Sequence, residues 1–301
     1  LVVIGALTLT ALRSSSSSMA VADAQSQVQK EVRDVMLTEM GRGVTIVPGT
    51  GAYTGRERPM LMSIVSPREV PAVRRLVHDI DPRAFVIFGM ATEVYGKGVR
   101  VPFSEDDDRL LGPTTRSRWS YADSKAIDEF LGLAYHKQHQ LPVTAARLFN
   151  TVGPRQTGQY GMVIPRFVRQ ALEGAPVTVY GDGEQTRCFC NVRDVVAALA
   201  ALIEAPQALG QVFNVGSTAE ITIRALARQI LAAAGRDPDD YVLIPYAQAY
   251  EPGFEDMRRR VPDISKIKAT IGWEPKIPLS ATLAQVIEYT RRRGSEDVNA
   301  A

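Results

Sequence analysis

The sequence contains few residues typical of a secreted, metal-binding or nucleic-acid-binding protein. Of its 301 residues, 2 are cysteine and 3 are histidine. Cys188 and Cys190 are too close in sequence for a useful disulfide, and no histidine pattern accompanies them. We therefore expect small buried side chains in a reducing compartment, and no metal site. The net charge of +2, with basic and acidic residues interleaved, gives no argument for a nucleic-acid partner.

A long hydrophobic run is also missing. The apolar stretch 1–12 is shorter than the roughly 20 residues that span a bilayer. It has no initiating methionine and no basic region before it, which argues against a signal peptide. We interpret it as the truncated end of a membrane helix, a remnant tether, with the serines at 14–18 as a linker. The predicted location is cytoplasmic, with membrane association if the tether exists.

Residues 19–95 show a pattern that mixes strands and helices. Apolar spacing predicts a helix over 24–40 and strands at 44–47, 60–65 and 84–88. Ser66-Pro-Arg-Glu69 has the form of a capping box with proline at the first helical position, which predicts a second helix ending near residue 79. This order of elements is that of a split βαβ, or ferredoxin-like, unit.

One glycine-rich segment, Gly49-Thr-Gly-Ala-Tyr-Thr-Gly55, could be considered for dinucleotide binding. Such a site needs glycines between a strand and a helix, so that backbone N–H groups reach the pyrophosphate. Here the spacing is off by one and Arg-Glu-Arg-Pro follows, so we predict a hairpin loop. Losing three hydrogen bonds to a charged group costs roughly 4–9 kcal/mol, whereas micromolar binding amounts to about 8 kcal/mol. The chain should bind NAD weakly or not at all, unless another subunit supplies the site.

From about residue 88 onward, strands and helices alternate, which is typical of an α/β fold. The predicted strands are 142–148, 211–215 and 241–245. The predicted helices are 119–139, 163–173, 192–204, 222–235, 264–271 and 279–292. The acidic run Glu105-Asp-Asp-Asp108 is predicted to be a solvated loop.

The pattern Tyr121-Ala-Asp-Ser-Lys125 lies near the start of one predicted helix. Its spacing of four places the phenol and the ammonium on one helix face. When hydride leaves a sugar carbon, a base must take the proton of the hydroxyl on the same carbon. A neighbouring ammonium and a positively charged nicotinamide favour the phenolate form of such a base. The pattern alone is common by chance and needs support from other motifs.

Further motifs provide that support. They are Met90-Ala-Thr-Glu-Val-Tyr-Gly96, Arg147-Leu-Phe-Asn-Thr-Val-Gly-Pro-Arg-Gln156, Val179-Tyr-Gly-Asp-Gly-Glu-Gln-Thr-Arg-Cys-Phe189, Asn214-Val-Gly216, Arg260-Val-Pro-Asp-Ile-Ser-Lys-Ile-Lys268 and Gly272-Trp-Glu-Pro275. In this order and spacing they resemble the extended short-chain dehydrogenase/reductase family of NAD-dependent epimerases and dehydratases. UDP-glucose 4-epimerases and UDP-glucuronate decarboxylases look most similar. The likeness covers roughly the last two-thirds of the chain.

This resemblance implies catalytic roles for residues of the first two motifs. Tyr121 would be the catalytic base, and Lys125 would hold the nicotinamide ribose of NAD. The family places threonine or serine where this chain has Ala91, and the adjacent Thr92 should point the other way at a strand end. Glu93 matches a glutamate that some decarboxylases and dehydratases use as an acid or base. The third catalytic group is therefore Thr92, Glu93 or neither.

The resemblance also implies contacts with a nucleotide-sugar substrate. The residues concerned are Asn150, Tyr180, Gln185, Arg187, Arg258 and Arg260. Asn150 and Arg187 would contact the diphosphate, a task that suits a forked guanidinium. Tyr180 and Gln185 would line the nucleotide pocket, and Arg258 or Arg260 would add a second phosphate contact. A solvated basic turn is an equally good interpretation of that last pair.

The first third of the chain resembles a different domain. Its motifs are Met40-Gly-Arg-Gly-Val-Thr-Ile46, the glycine segment from residue 49 to 55, and the run from Arg68 to Ile87. They are similar to the cytoplasmic C-terminal domain of YitT-like bacterial membrane proteins. The two resemblances meet near Val86 to Met90, in a segment that both families use as a buried strand.

Together these likenesses predict an α/β protein in three parts. Residues 1–17 form an apolar, serine-rich tail, and residues 18–88 form a ferredoxin-like α+β unit that replaces the first Rossmann strands. Residues 89–301 form the C-terminal part of a Rossmann-like extended short-chain dehydrogenase fold with a substrate-binding subdomain. A homodimer is expected, because the helix bearing Tyr121 commonly forms a dimer interface in the resembled family.

Three functions remain open from the sequence. The first is an NAD-dependent UDP-sugar epimerase, decarboxylase or dehydratase, with activity impaired or absent in this single chain. The second is a non-catalytic UDP-sugar-binding or regulatory module that uses Asn150 and Arg187. The third is a membrane-tethered sensor built on the first third of the chain.

Overall fold

The computed structural model describes residues 2–8, 30–47, 60–65, 70–80, 85–98, 100–156, 162–249 and 257–299. The strands are β1 (Val2–Thr8), β2 (Val44–Val47), β3 (Met60–Val65), β4 (Phe85–Ala91), β5 (Val143–Leu148), β6 (Thr151–Val152), β7 (Val177–Tyr180), β8 (Thr186–Cys188), β9 (Cys190–Asn191), β10 (Val212–Val215), β11 (Glu220–Thr222) and β12 (Tyr241–Ile244). The helices are α1 (described over 30–38), α2 (Val70–Ile80), α3 (Ser117–His139), α4 (Val163–Leu172), α5 (Val192–Ile203), α6 (Ile223–Ala234), α7 (Tyr246–Ala249), α8 (Ser265–Ile271) and α9 (Leu279–Asn299). Short 3-10 turns lie at Thr92–Tyr95 and Pro206–Ala208.

The main sheet has six strands in the order β10-β5-β4-β1-β3-β2. Its last four strands form the ferredoxin-like unit: β1 is antiparallel to both β3 and β4, and β2 is antiparallel to β3. Helices α1 and α2 cover this part with a core of Val32, Met36, Leu61, Val73 and Val77. The predicted ferredoxin-like unit is confirmed.

Residues 2–8 do not belong to a tail, in contrast to the prediction for residues 1–17. Residues 2–8 form β1, which lies inside the sheet and pairs on both sides, with Ile4 opposite Ser63 of β3 and Phe88 of β4. A short apolar run bounded by polar residues is also the pattern of a buried strand, and the missing first strand of the split βαβ order is supplied by this run. Of the described helices, none combines the length and hydropathy that a bilayer span requires.

Strand β4 belongs to both halves of the chain. On one side it pairs antiparallel with β1, and on the other it pairs parallel with β5, from Val86 opposite Val143 to Ala91 opposite Leu148. Strand β10 continues the parallel part beyond β5. The predicted boundary at residue 88 therefore falls inside one strand, and a single sheet joins the two halves.

Helices cover both faces of the parallel part of the sheet. Successive side chains of β5 point alternately toward one helix and the other. Ala146 packs in a core with Val195 and Ala198 of α5 and with Phe213 of β10. Val143 and Arg147 point to the opposite face, toward Tyr135 and Glu129 of α3. Strand residues two apart share a face, so α3 and α5 lie on opposite sides of β5.

The largest apolar core lies outside the main sheet, in the subdomain formed by α4, β7, α6 and α9. Phe167 and Val168 of α4, Ile230 of α6 and Val286 of α9 meet there. Strand β7 pairs with β12, and β8 pairs with β11. The predicted helices and long strands of this half are confirmed to within about two residues, except that α9 extends to residue 299.

Candidate functional site

Tyr121 and Lys125 lie on one face of α3, as their spacing predicts. The Lys125 Nζ atom is 5.4 Å from the centroid of the Tyr121 ring. Tyr121 is exposed, whereas Lys125 is almost fully buried and donates to the Asp128 carboxylate at 3.0 Å. Asp128 is buried as well, so the ammonium has its counter-ion within α3. Asp128 was not among the residues predicted from the sequence.

The segment after β4 begins the other predicted catalytic motif. Ala91 is the last residue of β4, and Thr92 and Glu93 open the 3-10 turn that ends at Tyr95. The side chains of Thr92 and Glu93 lie outside the described residues, so their roles stay predictions. Tyr95, by contrast, is buried, and its hydroxyl donates to the Asn214 side chain.

The residues predicted to contact a diphosphate lie around β8. Arg187 is buried, and its Nη1 donates to the carbonyl oxygens of Thr186 at 2.7 Å and Met257 at 2.9 Å. Asn150, just beyond β5, donates from its side chain to the Cys188 carbonyl at 2.8 Å. Its own carbonyl accepts from the backbone N–H of Cys190. Asn150 thus fixes the end of the strand that carries Arg187.

Gln185 and Tyr180 are neighbours, as predicted for residues of one pocket. Gln185 is buried, and its side-chain nitrogen donates to the Tyr180 carbonyl at 2.9 Å. Among the described residues, its side-chain oxygen has no hydrogen-bond partner. The Arg166 guanidinium lies 4.1 Å from the centroid of the half-buried Tyr180 ring. A buried acceptor that lacks a partner is costly, which favours a ligand that donates to it.

Arg258 and Arg260, the two candidates for a second phosphate contact, differ in environment. Arg258 is exposed and forms an ion pair with Asp182 at 2.9 Å, although its backbone carbonyl accepts from the Thr186 N–H. Arg260 is buried. Arg259, between them, makes two bonds of 2.8 Å to Glu220, which lowers the pKa of that carboxyl to about 2. The solvated-turn interpretation therefore describes Arg258 and Arg259, while Arg260 points into the protein.

One apolar cluster connects the two groups of site residues. Ala126, next to Lys125, packs with Phe149, next to Asn150, and with Met257, whose carbonyl accepts from Arg187. Tyr95 and Phe103 belong to the same cluster. The structure thus brings the tyrosine helix, the asparagine after β5 and the arginine strand against one core.

The prediction of a solvated loop for the acidic run is wrong for its first residue, Glu105. Glu105 is buried, and its carboxylate accepts from the backbone N–H of Asn214 at 2.7 Å. Burial raises the pKa of the Glu105 carboxyl, and the hydrogen bond from the Asn214 N–H partly offsets this effect. Burial also raises the pKa of Tyr95, which donates to Asn214, to about 12. The motif Asn214-Val-Gly216 was the sequence signal for this polar network.

The two cysteines have the buried environment that we predicted. Cys188 lies in β8 and Cys190 in β9, and both are free thiols. Burial raises the pKa of each thiol to about 12. Because the thiolate is the reactive form, these side chains act as small apolar residues rather than as nucleophiles.

Among the described residues, no glycine-rich turn leads from a parallel strand into a helix. The predicted hairpin, residues 49–55, lies outside them, but β2 and β3 on either side of it are antiparallel neighbours. A pyrophosphate instead needs a glycine-rich turn from a parallel strand into a helix. The strand-to-helix connection between β3 and α2 has the sequence Ser-Pro-Arg-Glu, without glycine. Lys125, expected to hold the nicotinamide ribose, donates to Asp128, and its role toward NAD stays a prediction.

Two family models match the chain. Residues 72–286 match the family described as GDP-mannose 4,6 dehydratase. Residues 42–96 match DUF2179, described as an uncharacterized protein conserved in bacteria, in agreement with the predicted YitT-like likeness. The two matches overlap over 72–96, the segment that contains the shared strand β4.

Characterised relatives and solved structures agree with the larger match. A UDP-N-acetyl-alpha-D-glucosaminuronate decarboxylase of Bacillus cytotoxicus is 44% identical over 207 residues, which cover 68% of this chain and 63% of that protein. A UDP-glucose 4-epimerase of Thermotoga maritima, solved with UDP-glucose, is 29% identical with a TM-score of 0.63, covering 74% of this chain and 68% of that one. A dTDP-glucose 4,6-dehydratase of Bacillus anthracis, solved with NAD, is 26% identical with a TM-score of 0.63, covering 74% and 67%. The chain thus spans less than two-thirds of its curated Bacillus relative.

Proposed function

Because the chain belongs to the GDP-mannose 4,6 dehydratase family, with UDP-sugar decarboxylases and epimerases among its relatives, we propose that it binds a UDP-sugar. We further propose that it has no NAD site of its own and does not turn over a UDP-sugar as a single chain. The observation that carries this proposal is the buried guanidinium of Arg187, held in place by the carbonyls of Thr186 and Met257.

Charge and burial make a diphosphate the ligand that fits this position. Removing a guanidinium from water is unfavourable unless hydrogen bonds and negative charge compensate. The carbonyls of Thr186 and Met257 accept from Nη1 of Arg187 and fix its orientation. A diphosphate carries negative charge, and the fork of an arginine can bind it at two oxygens. Arg260, buried on the neighbouring segment, is our proposed second contact.

The pocket for the nucleoside is proposed beside Gln185. Its side-chain oxygen is buried without a hydrogen-bond partner among the described residues, and its nitrogen is fixed by the Tyr180 carbonyl. The amide is therefore oriented with an acceptor available to the ligand. Uracil N3–H and the ribose hydroxyls are donors of the right kind, which supports a uridine nucleotide.

Catalysis is the second candidate function, with the dinucleotide supplied by another subunit. The observation that favours it is the distance of 5.4 Å from Lys125 Nζ to the Tyr121 ring. In this proposal Tyr121 takes a proton from a sugar hydroxyl, and Lys125 stabilises the phenolate. Thr92 and Glu93 remain the proposed third members of the site. Bound NAD would supply the hydride chemistry.

Calorimetric titration of the full chain tests the proposal. We expect saturable binding of UDP-glucose at one site per chain. For NAD we expect a Kd above about 1 mM, since the lost pyrophosphate contacts offset most of the free energy of micromolar binding. UDP-glucose at 100 times its Kd should raise the free energy of unfolding by about 2.7 kcal/mol.

Each outcome of the titration selects one function. UDP-glucose binding that NAD does not change supports the binding module. Tight NAD binding, or NAD-dependent tightening of UDP-glucose, would instead identify an enzyme with a dinucleotide site. Absence of UDP-glucose binding would overturn the proposal.

We also propose that the chain forms a homodimer through α3. Ile127, Phe130 and Leu131 are exposed on this helix, and Phe130 is 65% exposed. Their spacing of three and four places them on one side of the helix. An exposed apolar stripe of this kind is typical of a protein interface, and a two-fold axis would let two copies cover each other's stripe.

Light scattering on the wild type and on Phe130→Asp tests the dimer. We expect a wild-type mass of about twice the 32.9 kDa of one chain and a monomer for Phe130→Asp, because the new carboxylate would be buried without a partner. Leu243→Asp is the matched control, since Leu243 is also a large exposed apolar residue but lies on β12 and not on α3. A monomeric wild type, or a dimeric Phe130→Asp, would contradict the proposal.

A further inference from the structure

Asn214 has its backbone N–H and both ends of its side-chain amide hydrogen-bonded. Its side-chain nitrogen donates to the carbonyls of Phe103 at 2.9 Å and Asp263 at 3.2 Å, and its side-chain oxygen accepts from the Tyr95 hydroxyl at 2.6 Å. Its backbone N–H donates to Glu105. Asn214 is completely buried, so these bonds define one orientation of the amide.

The contacts of Asn214 hold one end of the segment 257–263, which contains Arg258, Arg259 and Arg260. At the start of this segment, the carbonyls of Met257 and Arg258 accept from Arg187 and from the Thr186 N–H. At its end, the Val261 carbonyl accepts from the Phe103 N–H, and the Phe103 carbonyl accepts from the Asp263 N–H. Asn214 bonds to both Phe103 and Asp263, and so fixes that end.

Arg260 lies between these two attachments. The first attachment involves Arg187 and β8, and the second depends on Asn214 and Phe103. Phe103 is itself fixed by stacking on Tyr95, with ring centroids 4.8 Å apart. A shift at the Asn214 end would therefore move Arg260 and the Met257 carbonyl that orients Arg187.

We propose that Asn214 is a positioning residue that holds the segment 257–263 so that Arg187 and Arg260 converge on a diphosphate. This inference rests on the proposed UDP-sugar site and adds a residue that does not itself touch the ligand. The predicted effect is selective. Loss of Asn214 should weaken recognition of the diphosphate, whereas recognition of the nucleoside should persist, since the Gln185 amide is oriented by the Tyr180 carbonyl.

Asn214→Asp is the principal variant. It keeps the oxygen that accepts from Tyr95 but places an oxygen against the carbonyls of Phe103 and Asp263, which releases them. We expect the affinity for UDP, measured by calorimetry, to fall about 10- to 100-fold, the equivalent of losing one hydrogen bond to a charged group. The affinity for uridine, measured by ligand-observed NMR, should change less than about 2-fold.

Asn191→Asp is the matched control. Asn191 is also completely buried, and its amide donates to Thr282 and Gln285, away from the segment 257–263. We expect it to lower the unfolding temperature without changing the ratio of UDP to uridine affinity. A merely structural role of Asn214 would give the same result for both variants and would overturn the inference.

Tyr95→Phe keeps the inference testable if Asn214→Asp does not fold. It retains the ring stacked on Phe103 and removes only the hydroxyl that orients the amide. We expect a fall in the ratio of UDP to uridine affinity of about 2- to 10-fold, as for one neutral hydrogen bond. An unchanged ratio overturns the inference. Failure of the wild type to bind UDP at all would instead overturn the proposed function.

Discussion

Deletion of residues 1–8 is expected to prevent folding of the whole chain. These residues contain β1, a strand of 7 residues that pairs with β3 on one side and with β4 on the other. Its loss would leave unpaired backbone groups on both neighbours and divide the sheet in two. Each buried unpaired group costs about 1–3 kcal/mol, and the total stability of a domain is about 5–15 kcal/mol. The groups left unpaired along two strands can together exceed this stability.

Circular dichroism and size-exclusion chromatography would measure this effect. We expect no cooperative melting transition and elution as aggregates, because exposed strand edges pair with other chains. Replacing the serines at 14–18 with glycines is the control and should leave melting unchanged, as predicted for a linker. A deletion variant that melts like the wild type would restore the tail interpretation.

Proline substitution tests the same point with a smaller change. Ile4 lies in the middle of the sheet, opposite both Ser63 and Phe88, so Ile4→Pro should abolish folding, since proline cannot donate to a strand ladder. Val47→Pro is the matched variant, at the end of the edge strand β2 and opposite Met60 alone. We expect it to fold with a modestly lower melting temperature.

The strand β1 could not be predicted because its identity depends on partners far along the chain. A short apolar run does not show by itself whether it is a strand or the end of a membrane helix. Helices of the second half were predictable because their signals are local: Asn191 caps α5 through the Arg193 N–H, and Gly235 ends α6 in a left-handed conformation. Such caps stand in the sequence next to the elements they limit.

The candidate site shows the same difference between local and distant signals. The Tyr121 and Lys125 arrangement follows from helical spacing alone. The burial of Glu105 does not, because its partner Asn214 is 109 residues away in sequence. The difference between Arg258 and Arg260 also depends on distant residues, since Asp182 pairs with the first. The sequence therefore predicted the groups of the site but not which of them the fold buries.

Arg187→Met is expected to have the largest effect on ligand affinity. Methionine fills much of the same volume but removes the charge and the fork. If the guanidinium makes two bonds to the diphosphate, each worth roughly 1.5–3 kcal/mol, the affinity for UDP should fall by a factor of about 100 or more. Arg187→Lys should retain part of the affinity, since lysine keeps the charge but cannot bind at two oxygens.

The neighbouring arginines provide the matched variants for this experiment, with UDP affinity measured by calorimetry for each. Arg258→Met should bind UDP like the wild type, because Arg258 is exposed and paired with Asp182. Arg260→Met should lose about 10-fold, as for a single charged hydrogen bond. If Arg258→Met lost as much affinity as Arg187→Met, the phosphates would lie at the surface turn and not beside β8. Because both proposed contacts go to the diphosphate, Arg187→Met should reduce the preference for UDP over uridine more than Arg260→Met does.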